Sequence, residues 1–425
     1  MYIESRMIIK FPENLIKRKI LSQIAPFLKE ENIILLTGPR QTGKTSLLYL
    51  LIKKLLKQGI NQSQIVYFDL EDVLILDKIN SLNGFDKFLD LLEEEGADIS
   101  KRIFVFIDEI QYLNHPSSFL KYLHDHYKPK LKFIVSGSSS LEIKRKFTDR
   151  LTGRVYPFVI LPLDFEEFLF FKQKKAFCLK LWNEFCLFGG YPAVVLRKEP
   201  FVKEKELAGI YSLYVKRDIK DFGGVEDVLG FNKLVKLLSL QIGNLFSESE
   251  LAVSVQLSRQ TIKKYLFLLE NTYVIKRLLP FFTNKRKEFV KMPKVYFFDS
   301  GLRNAVLGSF SPTEQRGDIG HLMKNLIFQE LYKKAFEKQT ELRFWRAQTG
   351  QEVDFVWQKS SEIIPIEVKY RNFTKSVLNR GIKQFIKKYQ PKQAVMITKD
   401  FEDKINLKKT EILFLPAYRI MDFDC

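Results

Sequence analysis

The chain is short of the residues that carry metal and redox chemistry. Its 425 residues include only 3 cysteines and 4 histidines. Cys178, Cys186 and Cys425 cannot frame a disulfide-stapled fold, and their spacing is not that of a zinc site, so buried free thiols are expected. His124 and His126 stand in a spacing that can ligate a metal, but no thiol lies near them, and no metal is expected there. No apolar run approaches the roughly 18 residues that span a bilayer. Met1 to Lys10 carries Glu4, Arg6 and Lys10 and lacks an apolar core, so no signal peptide is expected. The expectation is a cytoplasmic protein with no membrane partner. Internal repeats and low-complexity segments are absent as well. Negative charge is the last scarcity: 50 Asp and Glu stand against 69 Lys and Arg, a formal net charge of +19. Small anionic metabolites do not call for such an excess. A polyanion does, and nucleic acid, DNA foremost, is the expected partner. The bland alternative is a basic bias with no partner behind it.

What is present is ample apolar material, 46% hydrophobic against 28% charged residues, which excludes a disordered or collagen-like chain. At about 150 residues per domain the length suggests about three domains. Residues 1–171 alternate short β-rich runs (Ile33–Thr37, Ile65–Leu70, Ile103–Asp108, Lys132–Ser136, Phe158–Leu161) with helical patterns such as Lys44–Lys57 and Ser117–Tyr127. Such alternation means βαβ units and a mainly parallel sheet. Residues 172–230 read as helical. Residues 231–294 read as helix (Ser247–Val255), polar turn, helix (Arg259–Asn271) and a β-rich hairpin with a charged tip at Lys285–Glu288, the outline of a winged helix-turn-helix. From Arg259 to Lys294 there are ten basic and two acidic residues, so the excess charge is concentrated here. Arg259, Gln260, Lys263 and Lys264 are candidates for phosphate or base contact, while Tyr265 and Phe267 read as core. Packing alone is the alternative role of this region. Residues 295–425 mix a strand (Val295–Phe298), a helix (Ile319–Lys338), strands Leu342–Arg346, Glu352–Gln358 and Glu362–Lys369, a helix Val377–Tyr389 and a closing strand Gln393–Thr398.

The strongest motif is Gly38-Pro39-Arg40-Gln41-Thr42-Gly43-Lys44-Thr45, followed by Ser46. It fits G-x-x-x-x-G-K-[ST] between an apolar strand and an amphipathic helix, where backbone N–H groups and a helix N-terminus can cradle a phosphate chain. Lys44 is expected to reach the β- and γ-phosphates, and Thr45 to offer its hydroxyl to Mg²⁺. The run Ile103–Ile107 ends in Asp108 and Glu109. Asp108 suits the same Mg²⁺, and Glu109 suits a general base acting on water. A third β-run ends in Ser136-Gly137-Ser138-Ser139-Ser140, where a γ-phosphate sensor belongs. Ser138 is the first choice, with Ser136 or Ser139 as substitutes, and an ordinary helix cap is the alternative.

These motifs, with Phe106–Ile110, Leu151-Thr-Gly-Arg154, Leu163-Asp-Phe-Glu-Glu-Phe168, Gly189-Gly-Tyr-Pro192 and Val295–Leu302, resemble the AAA-type ATPases of archaea and bacteria along nearly the whole chain. The resemblance implies an α/β P-loop NTPase domain with a helical lid, then the winged helix-turn-helix. A C-terminal domain of unknown function related to the PD-(D/E)XK, restriction-endonuclease-like α/β fold ends the chain. It implies ATP with Mg²⁺ and ATP hydrolysis. It also implies a homo-oligomer in which Arg150 or Arg154 serves as an arginine finger, although either can equally bond its own subunit.

The last constellation is Asp354, Glu367 and Lys369. Glu367 and Lys369 share one face of a strand, and Asp354 enters from the strand before it. Two carboxylates and a lysine so placed can hold a divalent metal and activate water against a phosphodiester; three surface charges on a strand pair are the alternative. Gln384 and Tyr389 match a helix that often follows. The resembling families carry a Glu beside an Asn on the first helix of this domain. Here Lys324 stands beside Asn325, and Glu330 lies further round the helix, which weakens metal binding. The sequence therefore reads as an ATPase that couples nucleotide state to DNA engagement. An ATP-gated nuclease and an ATP-switched signalling or scaffold protein with an inactive nuclease-like domain are the alternatives.

Overall fold

The computed structural model describes residues 10–137, 151–175, 177–221, 223–282, 292–360 and 362–423. The chain divides into two compact units, Met1–Leu161 and Pro162–Cys425. No described helix is long and apolar enough to cross a membrane.

The first unit is built on five parallel strands, β1 (Ile33–Thr37), β2 (Ile65–Asp69), β3 (Ile103–Asp108), β4 (Leu131–Ser136) and β5 (Val155–Val159), in the order β2-β3-β4-β1-β5. The central strands are apolar at nearly every position because both faces are covered. Alternation then sorts them. Ile33, Leu35, Val105, Ile107, Phe133 and Val135 enter one core, against Phe119, Leu120 and Leu123 of helix α2 (Pro116–Tyr127). Ile34, Leu36, Phe104, Phe106 and Ile134 enter the other, against Leu47, Leu48, Leu51 and Leu55 of α1 (Lys44–Lys57). Each such side chain contributes about 1.5–3 kcal/mol by leaving water. The sequence placed the fifth strand at Phe158–Leu161. It lies instead at Val155–Val159, its residues only partly buried because it forms the sheet's edge.

The second unit begins with helices α3 (Phe165–Phe171), α4 (Leu179–Phe188) and α5 (Pro200–Tyr214), the last running on into a π-helical segment, Val215–Asp221. After α6 (Val228–Leu240) come α7 (Glu248–Val255) and α8 (Arg259–Asn271), each capped by a serine, Ser247 or Ser258, that accepts the backbone N–H three residues on. Strand β6 (Ile275–Leu278) pairs antiparallel with β7 (Lys294–Phe297). The strand expected to open the C-terminal part thus completes this two-stranded sheet. The following helix, α9 (Ser300–Leu307), is capped by the buried Asp299, whose carboxylate accepts N–H bonds from Leu302 and Gly190 at 2.8 and 2.7 Å. The Gly189–Pro192 and Val295–Leu302 motifs meet at this joint.

Helix α10 (Ile319–Glu337) precedes a six-stranded mixed sheet of β8 (Glu341–Arg346), β9 (Glu352–Lys359), β10 (Glu362–Val368), β11 (Gln393–Thr398), β12 (Asp403–Leu407) and β13 (Thr410–Pro416). Its order is β12-β13-β11-β10-β9-β8, so the hairpin β12–β13, unforeseen in the sequence, extends the sheet beyond β11. Helix α11 (Arg380–Tyr389) lies against β9 with Gly381 pressed on the Glu352 carbonyl.

Candidate functional site

The loop between β1 and α1 stands at the carboxyl end of the parallel strands, where ligands of open α/β sheets bind. Its turns need positive φ at Gly38 (138°), Gln41 (59°) and Gly43 (92°), the last being the N-cap of α1. Lys44 is buried, and its ammonium donates to the loop's own carbonyls, Gly38 O at 3.1 Å and Pro39 O at 2.7 Å. Thr42 is buried and donates its hydroxyl to Pro39 O at 2.9 Å. Gln41 and Thr45 are exposed, while Arg40 and Ser46 are half-buried. A residue not foreseen holds the loop from below. The buried Arg18 guanidinium donates to Thr42 O at 2.7 Å and to Leu161 O at 2.9 Å. Nothing local in the sequence marks it, because its partners lie 24 and 143 residues away.

Asp108 ends β3, one strand removed from β1, as a buried carboxylate. Burial pushes its pKa above the usual range, against the opposing effect of hydrogen bonds from the Ser136 and Thr45 hydroxyls. Tyr67 also donates to it at 3.3 Å, and Tyr67's own pKa is driven up by burial and by the Asp108 charge. Ser136 does double duty: it donates to Asp108 and accepts the Glu109 backbone N–H at 3.2 Å. Glu109 takes φ +54°, the left-handed region a side chain rarely adopts, and accepts a hydrogen bond from the buried Gln111 amide. Lys44, Thr45, Asp108 and Glu109 are thus gathered at one end of the sheet, and Tyr67, Gln111 and Ser136 hold the carboxylates in place. Thr45 and Asp108 suit Mg²⁺, being a hydroxyl and a carboxylate hydrogen-bonded to each other at this end of the sheet. Ser138, Ser139 and Arg150 lie outside the described residues. Arg154 is engaged within its own unit, its guanidinium donating bidentately to Asp125 at 2.6 and 2.9 Å. That pair holds the Asp125 pKa down at about 2.

In the second unit the pairing of Ile366 with Phe355 sets Glu367 beside Asp354, both buried. Asp354 N–H donates to Glu367 Oε2 at 3.1 Å, and Val368 N–H to Asp354 Oδ2 at 3.0 Å. Lys369 lies 2.7 Å from Glu367 Oε1, as its place on the strand foretold, and Asn379 donates to the same oxygen at 2.7 Å. Lys324 reaches Asp354 Oδ1 at 2.5 Å. Burial opposes the charge on Lys324, but Asp354 outweighs it and its pKa is raised; burial and then the Asp354 charge push Glu367 up. Asn325 faces inward and brackets the Phe297 peptide at 2.7 and 3.2 Å. Glu330 accepts the Phe165 N–H at 3.2 Å. Gln384 is exposed, and Tyr389 packs on Phe281, Trp345 and Phe385.

On α8, Arg259, Gln260, Lys263 and Lys264 are all exposed. Arg259 and Lys263 share Glu248, at 3.2 and 3.8 Å, and Lys264 donates to Gly224 O at 2.9 Å. Tyr265 is core, edge-on to Phe231, but Phe267 is 55% exposed. Two residues along a helix is a rotation of about 200°, so Tyr265 and Phe267 cannot share a face, and Phe267 follows Lys263 by one turn. The charged tip 285–288 lies outside the described residues.

A parallel sheet in this order with this loop and carboxylate pair is an AAA-type P-loop nucleotide-binding domain, and the chain carries the features of an ATPase. The AAA domain family matches residues 30–169. Two domains of unknown function, DUF8612 and DUF4143, match residues 179–313 and 319–418. An uncharacterized protein of Haemophilus influenzae is 26% identical over 363 residues, 83% of this chain and 86% of that protein. The uncharacterized protein MJ1544 of Methanocaldococcus jannaschii is 28% identical over 368 residues, 82% of this chain and 78% of its own. Among solved structures, the Walker-type ATPase PABY2304 of Pyrococcus abyssi aligns at 15% identity with a TM-score of 0.46, covering 71% of this chain and 97% of that one. The Holliday junction branch migration motor RuvB of Thermotoga maritima aligns at 16% identity and a TM-score of 0.32, covering 64% and 92%.

Proposed function

We propose that the chain binds ATP with Mg²⁺ at Gly38–Ser46, hydrolyses it, and uses the nucleotide state to govern DNA engagement by α8 and the β6–β7 pair, read as a winged helix. The observation that carries this reading is the convergence of Lys44, Thr45, Asp108 and Glu109 at one sheet end. Lys44 exchanges the Gly38 and Pro39 carbonyls for the β- and γ-phosphates, while the loop's N–H groups and the N-terminus of α1 receive the rest of the phosphate chain. Thr45 and Asp108 hold Mg²⁺, which when bound neutralises charge developing on the phosphate oxygens. Glu109, aimed by its left-handed backbone and by Gln111, takes the proton of the attacking water. Ser136 links the Asp108 carboxylate to the Glu109 backbone N–H, and Ser138 is placed in sequence to sense the γ-phosphate. The motif's two arginines, Arg150 and Arg154, are the candidates for a finger between copies; for Arg154 that role first requires release from Asp125.

DNA engagement is supported by the net charge of +19, the exposed Arg259, Gln260, Lys263 and Lys264, and the exposed Phe267 one turn beyond Lys263. The test is fluorescence anisotropy of a labelled duplex with the full chain, in ATP analogue, ADP or no nucleotide, at rising salt. The affinity should differ between nucleotide states. Lys263→Glu should weaken binding and reduce the slope of log K against log salt by about 1. Affinity that ignores both nucleotide and Lys263 rejects the DNA reading. A second reading, a switch that recruits proteins, is favoured by Glu248 holding Arg259 and Lys263 within the chain; it requires that no salt-dependent DNA binding be found.

A further inference from the structure

The acidic pair of the second unit has the position of a metal site but not the charge of one. Every carboxylate oxygen already accepts from the protein. Asp354 Oδ1 takes Lys324 Nζ at 2.5 Å and Oδ2 takes Val368 N–H at 3.0 Å. Glu367 Oε1 takes both Lys369 Nζ and Asn379 Nδ2 at 2.7 Å, and Oε2 takes Asp354 N–H at 3.1 Å. The neighbouring Glu352 is spent on Lys294 at 2.6 Å and Arg346 at 2.7 Å. Three carboxylates therefore face four fixed cations, all within ion-pair distance. A divalent ion needs excess negative charge and free oxygen ligands at about 2.0–2.6 Å. Here it meets neither, and no group of three or more His, Cys, Asp or Glu placed to hold a metal occurs among the described residues. The divalent metal that the nuclease-like resemblance implies does not fit.

What fills the role is on the helix. Asn325 is locked to the Phe297 peptide. This fixes the rotation of α10 and delivers the preceding side chain, Lys324, to Asp354. The one acidic side chain nearby on α10, Glu330, is turned away to the Phe165 N–H. We infer that Lys324 is the resident cation of this site: its ammonium occupies the place of a divalent metal on Asp354, so that the C-terminal sheet binds no such metal and cleaves no phosphodiester.

The inference stands apart from the ATPase and DNA readings and is tested without them. Full-length protein without nucleotide is titrated with Mn²⁺, and free Mn²⁺ is read by electron paramagnetic resonance. The variants are Asp354→Asn, Lys324→Met, Lys324→Glu and Lys324→Glu with Asp354→Asn. Wild type and Asp354→Asn should bind the same amount. Lys324→Glu, which adds a carboxylate and removes the competing charge, should bind one more Mn²⁺ per chain, lost again in the double variant, and its melting temperature should rise with Mn²⁺. Supercoiled plasmid with Mn²⁺ should stay intact with the wild type. Mn²⁺ bound by wild type and lost in Asp354→Asn overturns the inference. So does a folded Lys324→Glu that gains nothing. Should Lys324→Glu fail to fold, Lys324→Met decides: an affinity at least tenfold above wild type and dependent on Asp354 supports the inference, and none overturns it.

Discussion

Two glycines of the phosphate loop should fail in different ways when given a side chain. Gly38 sits at φ +138°, and a Cβ there would lie 2.3 Å from the Ile160 carbonyl oxygen and 3.0–3.1 Å from that residue's C and N. These are backbone atoms, fixed by the Ile160 N–H bond to Thr37 O at 2.7 Å. Relief of an overlap of about 1 Å requires Ile160 to move. That loses a hydrogen bond of about 1 kcal/mol and adds about 1–3 kcal/mol of backbone strain, for about 2–4 kcal/mol together. Gly43 also has positive φ, +92°, but a Cβ there meets nothing within 4 Å, so only the strain of about 1–2 kcal/mol applies. At about 2–4 °C per kcal/mol for a unit of this size, Gly43→Ala should lower the melting temperature by about 2–8 °C and Gly38→Ala by about 4–16 °C. The assay is thermal unfolding by circular dichroism, following the transition that ATP raises. An equal loss in both variants, or a milder one in Gly38→Ala, refutes the claim that this loop is braced against the β5 exit.

Other perturbations follow from the same contacts. Arg18→Ala removes the donor of Thr42 O and Leu161 O and should cost about 1–3 kcal/mol in stability and about five- to twentyfold in ATP affinity by calorimetry, against no effect if the contact is incidental. Asp318 accepts from Arg303 and Arg316 at 2.7–2.9 Å, and these bonds, outweighing burial, hold its pKa at about 2. Its folded value lies below the unfolded one of about 3.9. Its contribution, on the order of 1–2 kcal/mol after allowance for its partial exposure, is therefore complete above about pH 4 and lost as pH falls toward 2. Asp318→Asn should flatten that acid limb in denaturant titrations. Lys132 is fully buried, donates to Asn32 O, and is pushed down by burial to about 7. The unfolded chain holds this proton up to about pH 10.4, so stability should rise with pH between the two values, and Lys132→Met should abolish that rise.

The sequence was most legible where function and local geometry coincide. Gly38–Thr45 names its own turn and helix start, and the apolar run into Asp108 names a buried strand. The supports of these groups were not legible, because Arg18, Tyr67 and Ser136 reach their partners only through the fold. Edges were the second blind spot. Val155–Val159 is half-exposed and carries Pro157, so the apolar run Phe158–Leu161, which overlaps its end, drew the assignment. Asp403–Leu407 is a polar edge strand, recognisable only once it pairs with Thr410–Pro416. Tyr265 and Phe267 looked alike in composition, yet helical rotation buries one and exposes the other. Lys324 could be read as a departure from the resembling pattern, but its 2.5 Å approach to Asp354 required the register of α10 on the sheet.

The account rests on Glu109 as the base of an ATP-hydrolysing site. Steady-state phosphate release from Mg²⁺-ATP should be measured for wild type and Glu109→Gln, with ATP affinity measured in parallel. The account predicts hydrolysis by the wild type, a loss of at least about 100-fold in Glu109→Gln, and nucleotide affinity held within about threefold. Hydrolysis unchanged in Glu109→Gln, or no hydrolysis by a wild type that binds ATP, would contradict it.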